Sequence, residues 1–424
     1  MARRAKMIFV TIVAAGLGAS CVFQGLRQDL EVMAQLGEIS GHVIAAPETS
    51  CPIFVVLYRA ESEKQVLYAY YLAYSSGAFR FVVPPGSYYL FAFEDRNEDA
   101  AFKPDERAGW FGDHSPIRVG PGTAMRGIAL PVQQPSSGPA AGRNLKTLSL
   151  ESKRVELKAS MVGVVVRLSD KRFSAHYASK GLWEPIKFLD EPGGGIFFLE
   201  PYTSRKTPVL FVHGAGGYPQ QWASIIGQLD RTHFQPWILH YPSGLRLGLL
   251  GEFLEKYLAE LHVRYRFDKL YIVAHSMGGL ISRCALNHNI ESRPTPFIGL
   301  LITIATPWQG HSAATYGVEQ SPVVVPSWYD MAPDSPFLRG LRAIPLPPEV
   351  EFDLLFGYRG DAQYNGQLSD GTVMLSSILD DDMQKAATVV NGFDEDHTGI
   401  LQSPALAQCI NRLLARAAAR DGKP

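Results

Sequence analysis

One stretch limits what this chain can become. Residues 270–280 read Leu-Tyr-Ile-Val-Ala-His-Ser-Met-Gly-Gly-Leu. Leu270, Tyr271, Ile272 and Val273 favour a strand, while Leu280, Ile281, Cys284 and Ala285 are spaced as the buried face of a helix. Only Ala274-His275-Ser276-Met277-Gly278-Gly279 separates the two patterns, so strand must pass to helix through an abrupt turn. Small residues at Ala274 and Gly278 let the helix press on the strand. Ser276 stands at the turn, which pushes its hydroxyl out at the carboxyl edge of a parallel sheet. A serine in an ordinary buried turn would give the same letters, so partners elsewhere in the chain have to decide.

Candidate partners occur in one order along the chain. His213-Gly214-Ala215-Gly216-Gly217 follows the apolar strand 209–212, and its glycines let a backbone N–H turn toward the serine. Asp370 lies in Ser369-Asp370-Gly371-Thr372-Val373, beyond the strand 354–356. His397 lies in Asp394-Glu395-Asp396-His397-Thr398-Gly399, between the last strand and the terminal helix. Rivals exist: Asp361 lies nearer the strand, and Asp380-Asp381-Asp382 reads as a solvated face. His288 follows the elbow helix and His311 precedes the acid, so neither has the position of the base.

As a set these residues resemble the α/β-hydrolase superfamily, specifically secreted lipases and esterases, with Ala274 where the elbow usually begins with Gly. The resemblance covers roughly residues 207–424. It implies Ser276 as nucleophile, His397 as base, Asp370 as the acid that orients the base, and the Ala215 and Met277 N–H groups as oxyanion hole. His213 and His275 then have structural roles. The implied reaction is hydrolysis of a carboxylic ester, with a lipid or acyl-ester substrate, through an acyl-enzyme and without a cofactor. Thioesterase, amidase or acyltransferase chemistry would use the same residues. A non-catalytic lipoprotein that only binds is the reading from another class.

Ala305-Thr306-Pro307-Trp308-Gln309-Gly310 and the later Met331-Ala332-Pro333-Asp334-Ser335-Pro336-Phe337-Leu338 also look like pieces of such enzymes. The connection they occupy is far longer than two strands require, so a cap is expected over the site. Trp308, Trp328, Tyr329, Phe337 and Leu338 are candidate walls of its acyl pocket, or else the cap's own core.

At 424 residues the chain exceeds one ordinary domain. Lys plus Arg (40) balances Asp plus Glu (41), so no overall field recruits nucleic acid. The four cysteines, Cys21, Cys51, Cys284 and Cys409, are scattered without metal-ligand spacing. Arg3, Arg4 and Lys6, an apolar stretch at 7–17 and Gly18-Ala19-Ser20 form an export signal. Cys21 directly after the small residues resembles the lipidated cysteine of bacterial lipoproteins, although Gly18 stands where a branched residue is usual. The implied location is periplasmic or cell-envelope, with a lipid anchor in a bacterial membrane.

Between the two ends, residues 37–132 carry short runs rich in β-branched and aromatic residues, such as Phe54-Val55-Val56-Leu57-Tyr58, separated by turn clusters such as Pro84-Pro85-Gly86-Ser87. They predict a small β-sandwich that resembles transthyretin-like or carboxypeptidase-regulatory-like modules; contact of that sandwich with a glycan or protein partner belongs to the non-catalytic reading. Asp95, Asn97, Asp99 and Glu106 have the spacing of a calcium loop, but Ala100 occupies the usual glycine position, which favours a solvated acidic loop. Beyond a Pro/Gly/Ser-rich linker, strands alternate with amphipathic helices, which predicts a doubly wound, mostly parallel α/β sheet. The expected organisation is a signal peptide (1–20), a spacer (21–37), a β-sandwich (38–133), a linker (134–146) and an α/β-hydrolase domain (147–424) with a cap at 306–350.

Overall fold

The computed structural model describes residues 18–47, 49, 51–61, 64–133, 148–149, 160–292, 296–360 and 367–422. Residues 1–17 of the expected signal, the linker 134–146 and the rival Asp361 lie outside them. No described helix is long and apolar enough to cross a membrane.

The aromatic and β-branched runs form β1 (Gly37–Ile44), β2 (Ile53–Glu61), β3 (Lys64–Ala73), β4 (Gly77–Val83) and β5 (Gly86–Glu94). Shorter strands follow: β6 (Ala101–Phe102), β7 (Ala108–Trp110), β8 (Ile117–Val119) and β9 (Ala124–Pro131). One sheet has the order β4-β1-β9 and the other β3-β2-β5-β7, with β8 paired to β5. Ile39, Val43, Val55, Leu57 and Leu90 belong to the core between them. β10 (Leu148–Ser149) pairs with β6.

The carboxyl-terminal strands are β11 (Ser160–Val165), β12 (Gly194–Phe198), β13 (Thr207–Val212), β14 (Phe234–His240), β15 (Leu270–His275), β16 (Ile298–Ile304), β17 (Glu351–Gly357) and β18 (Val389–Phe393). Their order is β11-β12-β14-β13-β15-β16-β17-β18. β12 runs antiparallel to β14, and every other neighbouring pair is parallel. β13 to β16 are buried at every residue, which is why they read as unbroken apolar runs.

The segment expected as a polar spacer is instead a helix, α1 (Gly18–Gln35). Phe23, Leu26, Leu30 and Met33 recur at helical spacing and pack on the core of the large domain. The polar residues between them hid that period. Two helices precede β12: α2 (Ala175–Trp183) and α3 (Pro185–Asp190). The buried Asp29 carboxylate of α1 accepts the Ile186 N–H at 2.7 Å and the Lys187 N–H at 3.3 Å, capping α3.

The two domains meet along α4 (Leu247–Tyr265). Phe54 and Val56, on the outer face of β2, cluster with Phe91, Phe93 and Ala259 of α4. The Lys256 ammonium lies 5.8 Å from the Tyr70 ring and 6.0 Å from the Phe81 ring, and burial lowers it to about 8. Arg80 pairs with Glu252 at 2.9 Å.

After β15 comes α5 (Met277–Ser292), and between β16 and β17 lie α6 (Ser312–Gln320), α7 (Pro326–Met331) and α8 (Pro336–Ala343). The buried Asp330 carboxylate binds the Arg246 guanidinium at 2.7 and 2.9 Å and accepts the Leu247 N–H at 2.7 Å, so it also caps α4. Arg283 and Asn287 of α5 donate to the Ile344 and Leu341 carbonyls at the end of α8. The terminal helix α9 (Pro404–Arg420) begins with proline, whose fixed φ suits the first turn, and the Ser403 hydroxyl before it makes no capping bond. Replacing Asp29→Ala should lower unfolding free energy by about 1–2 kcal/mol in urea titration; an unchanged midpoint would show that α1 is not docked on α3.

Candidate active site

Of residues 270–287, Ser276 alone is not buried. Its φ of 53° lies in the left-handed region that a side chain adopts only under constraint. Neighbours from β16 supply that constraint. The Ser276 N–H donates to the Ile304 carbonyl at 2.8 Å, and the Thr306 hydroxyl donates to the Ser276 carbonyl at 3.0 Å. The glycines are needed for close approach: a Cβ on Gly278 would lie 2.4 Å from the His213 carbonyl oxygen, and one on Gly279 2.0 Å from Thr306 Oγ1.

The structure brings Ser276, His397 and Asp370 together, from the ends of β15, β18 and β17. His397 Nε2 is 3.0 Å from Ser276 Oγ, and Nδ1 is 2.6 Å from Asp370 Oδ2. The buried Asp370 carboxylate also accepts the Thr372 and Val373 N–H groups, at 3.0 and 2.7 Å. With Oδ2 as acceptor, the Nδ1 proton points at Asp370 and the Nε2 lone pair faces the serine. Backbone contacts hold the imidazole in register: the His397 N–H donates to the Asp370 carbonyl at 2.8 Å. The buried His275 Nε2 donates to the His397 carbonyl, also at 2.8 Å.

The turn after β13 abuts the serine. A Cβ on Gly214 would sit 2.8 Å from Ser276 Cβ and 3.3 Å from its Oγ. Ala215 follows at this turn, and Met277 opens α5, so the Met277 N–H has no acceptor within the helix. The turn is braced from β14: the Tyr241 hydroxyl donates to the His213 carbonyl at 2.6 Å, and its ring stacks on His213 with centroids 4.2 Å apart. Ser243 Oγ accepts the Gly216 N–H at 3.0 Å. Thr306, Tyr241 and Ser243 were not legible as site residues, because each acts on backbone that is distant in sequence, Thr306 from the end of β16 and the other two from the end of β14.

The candidate pocket walls separate. Trp308 is fully buried, edge-on to Phe352 with centroids 5.7 Å apart, and Leu338 is buried too. Trp328 is edge-on to Trp183 at 5.6 Å and packs over Gly317. These three fill the core of the cap and its seam with the body. Phe337 is half-buried, and Tyr329 is exposed beneath the Arg246 guanidinium, 5.8 Å from the ring centre.

The acidic loop is not simply solvated, because its Asp95 and Glu106 carboxylates are buried and engaged within the loop. Both Asp95 oxygens accept loop N–H groups, from Asp99 and Ala100, and both Glu106 oxygens accept those of Arg96 and Lys103. Asp99 pairs with Lys103 at 2.6 Å and binds the Asn97 amide. Among the described residues, no group of three or more His, Cys, Asp or Glu side chains could hold a metal.

Residues 250–385 match the model of a family described as alpha/beta hydrolase of unknown function (DUF915). No curated protein matches the chain. Among solved structures it is similar to the mature form of the Bacillus licheniformis lipase BlEst2, at 18% identity and a TM-score of 0.41, over 52% of this chain and 97% of that one. It is also similar to Aspergillus fumigatus lipase B, at 16% identity and a TM-score of 0.39, over 52% of this chain and 55% of that one. A third likeness is the Legionella pneumophila phospholipase PlaB, at 16% identity and a TM-score of 0.34, over 41% and 44%. The strand order, the turn at Ser276 and the family match give the carboxyl-terminal domain an α/β-hydrolase fold.

Proposed function

We propose that this chain is a serine hydrolase that cleaves carboxylic esters of apolar acyl groups through an acyl-enzyme. The observation that carries the reading is the continuous relay Ser276 Oγ, His397 Nε2, His397 Nδ1 and Asp370 Oδ2, with separations of 3.0 and 2.6 Å. His397 takes the Ser276 proton as Oγ attacks the ester carbonyl, and Asp370 stabilises the imidazolium that forms. The Ala215 and Met277 amides receive the oxyanion, each donor being worth on the order of 3 kcal/mol in comparable sites. His397 then gives its proton to the departing alcohol. Water, deprotonated by the same imidazole, releases the acid.

The other buried histidines around the triad are poor bases. Burial lowers His213 to about 4 and His275, also beside His397, to about 3. That leaves His397 to move the proton. The reading extends to location: an exported protein held at a membrane by lipid on Cys21, its hydrolase body reached through α1.

A fluorophosphonate should label the wild type at Ser276, and p-nitrophenyl esters of increasing acyl length should give a chain-length optimum. Ser276→Ala should abolish labelling and reduce turnover at least about a thousandfold; retained turnover would mean another nucleophile. Asp370→Asn should cost on the order of 10⁴ in kcat, since the wrong tautomer would face the serine. Mass spectrometry of the mature amino terminus should find lipid on Cys21, and an unmodified cysteine there or an intact Met1 would reject the anchor.

Stability should also depend on pH. Unfolded histidines protonate near 6.5, whereas folded His213 and His275 wait until about 4 and about 3. Between those values the unfolded chain binds more protons, so the stabilisation is complete above the unfolded value and is lost as pH falls. Urea midpoints should therefore drop from pH 6.5 downward, by up to about 1.4 kcal/mol per pH unit for each histidine; flat midpoints would contradict the burial of these rings.

A further inference from the structure

The turn that abuts Ser276 is fixed at one peptide plane. The Gly214 carbonyl accepts the Gly217 N–H at 3.1 Å and lies 2.9 Å from His213 Nδ1. A carbonyl oxygen can only accept, so the ring carries a proton on Nδ1 and donates it. The peptide between Gly214 and Ala215 is trans, which puts its N–H in the plane of the carbonyl and pointing the opposite way. Two donors on the Gly214 carbonyl therefore set the direction of the Ala215 N–H. Ala215 is exposed, and among the described residues nothing accepts its N–H, whereas the next one, Gly216, donates to Ser243 Oγ at 3.0 Å. The plane lies at the nucleophile, because a Cβ on Gly214 would be 3.3 Å from Ser276 Oγ.

His213 is clamped in turn. The buried Tyr241 ring lies nearly parallel to the imidazole, at 12° with centroids 4.2 Å apart, and its hydroxyl donates to the His213 carbonyl at 2.6 Å. That carbonyl also meets α5 so closely that a Cβ on Gly278 would lie 2.4 Å from it. One tyrosine thus holds both the ring and the backbone of residue 213. We propose that Tyr241 is a positioning residue for ester hydrolysis: through His213 and the Gly214 carbonyl it keeps the Ala215 N–H aimed where the ester oxygen becomes negative. This rests on the serine-hydrolase reading and adds to it a residue that acts at one remove from the reacting atoms.

Three variants of the full chain test the relay. Tyr241→Phe keeps the stacked ring and deletes the hydroxyl, His213→Ala deletes the donor to Gly214, and His213→Asn restores an N–H at the Nδ1 position. On p-nitrophenyl butyrate, kcat should fall about ten- to hundredfold in Tyr241→Phe and in His213→Ala, as for a displaced oxyanion donor, with KM nearly unchanged. His213→Asn should regain most of the loss. A purely structural role is separated by two inhibitors of one chain length, an alkyl trifluoromethyl ketone and the alcohol made by reducing it. Ser276 adds to the ketone carbon, His397 takes the serine proton and the charge stays on the ketone oxygen, so the ketone reports the oxyanion donors and the alcohol reports chain binding alone. In Tyr241→Phe the ketone should weaken by the factor lost from kcat/KM, and the alcohol should bind as before. Wild-type kcat in Tyr241→Phe, a loss shared equally by ketone and alcohol, or a His213→Asn as slow as His213→Ala would overturn the assignment. Fluorophosphonate labelling run alongside tells the two levels apart. A labelled, active wild type matched by Tyr241→Phe removes only the role of Tyr241, whereas a wild type that neither labels nor turns over the ester removes the parent reading with it.

Discussion

The backbone of Ser276 is the constraint on which the rest depends. A left-handed serine at a strand-to-helix junction is costly by itself, on the order of 1–3 kcal/mol. It persists because β16 over-determines it, through the Ile304 carbonyl on one side and the Thr306 hydroxyl on the other. The same turn lifts the hydroxyl out of an otherwise buried segment and puts the Met277 amide at the open end of α5. Strain, exposure and donor placement are thus one feature. Sheet order then does the remaining work: Asp370 and His397 follow β17 and β18, two and three strands beyond β15 on the side away from the turn after β13.

Much of this was legible in the residues because it is local. The elbow announces itself by a change from strand to helical spacing across six residues, and the glycines at 278 and 279 are demanded by contacts that any side chain would violate. His397 and Asp370 could be singled out by chain order and by their loops. What sequence could not give is which large apolar side chains face a substrate. Trp308 and Phe337 look alike as letters, yet one is sealed against Phe352 and the other is half-exposed. That difference is decided by contacts between segments far apart in the chain.

The amino-terminal helix shows the same limit from the other direction. Its apolar residues follow helical spacing, but their partner surface lies more than a hundred residues downstream, so the stretch reads as a spacer until the surface is known. The acidic loop also looked different in sequence, where only spacing was visible. In the fold its carboxylates accept the loop's own N–H groups, contacts that spacing alone does not reveal.

β2 has apolar side chains on both faces, one toward the opposing sheet and the other toward α4. A strand of that kind cannot be wetted on either side without exposing aromatic rings. The covalent connection between the halves is therefore not what keeps them together. Proteolytic nicking of the intervening segment would leave a clasped pair instead of two fragments free to diffuse, and the smaller half produced alone would present a sticky flank to its neighbours.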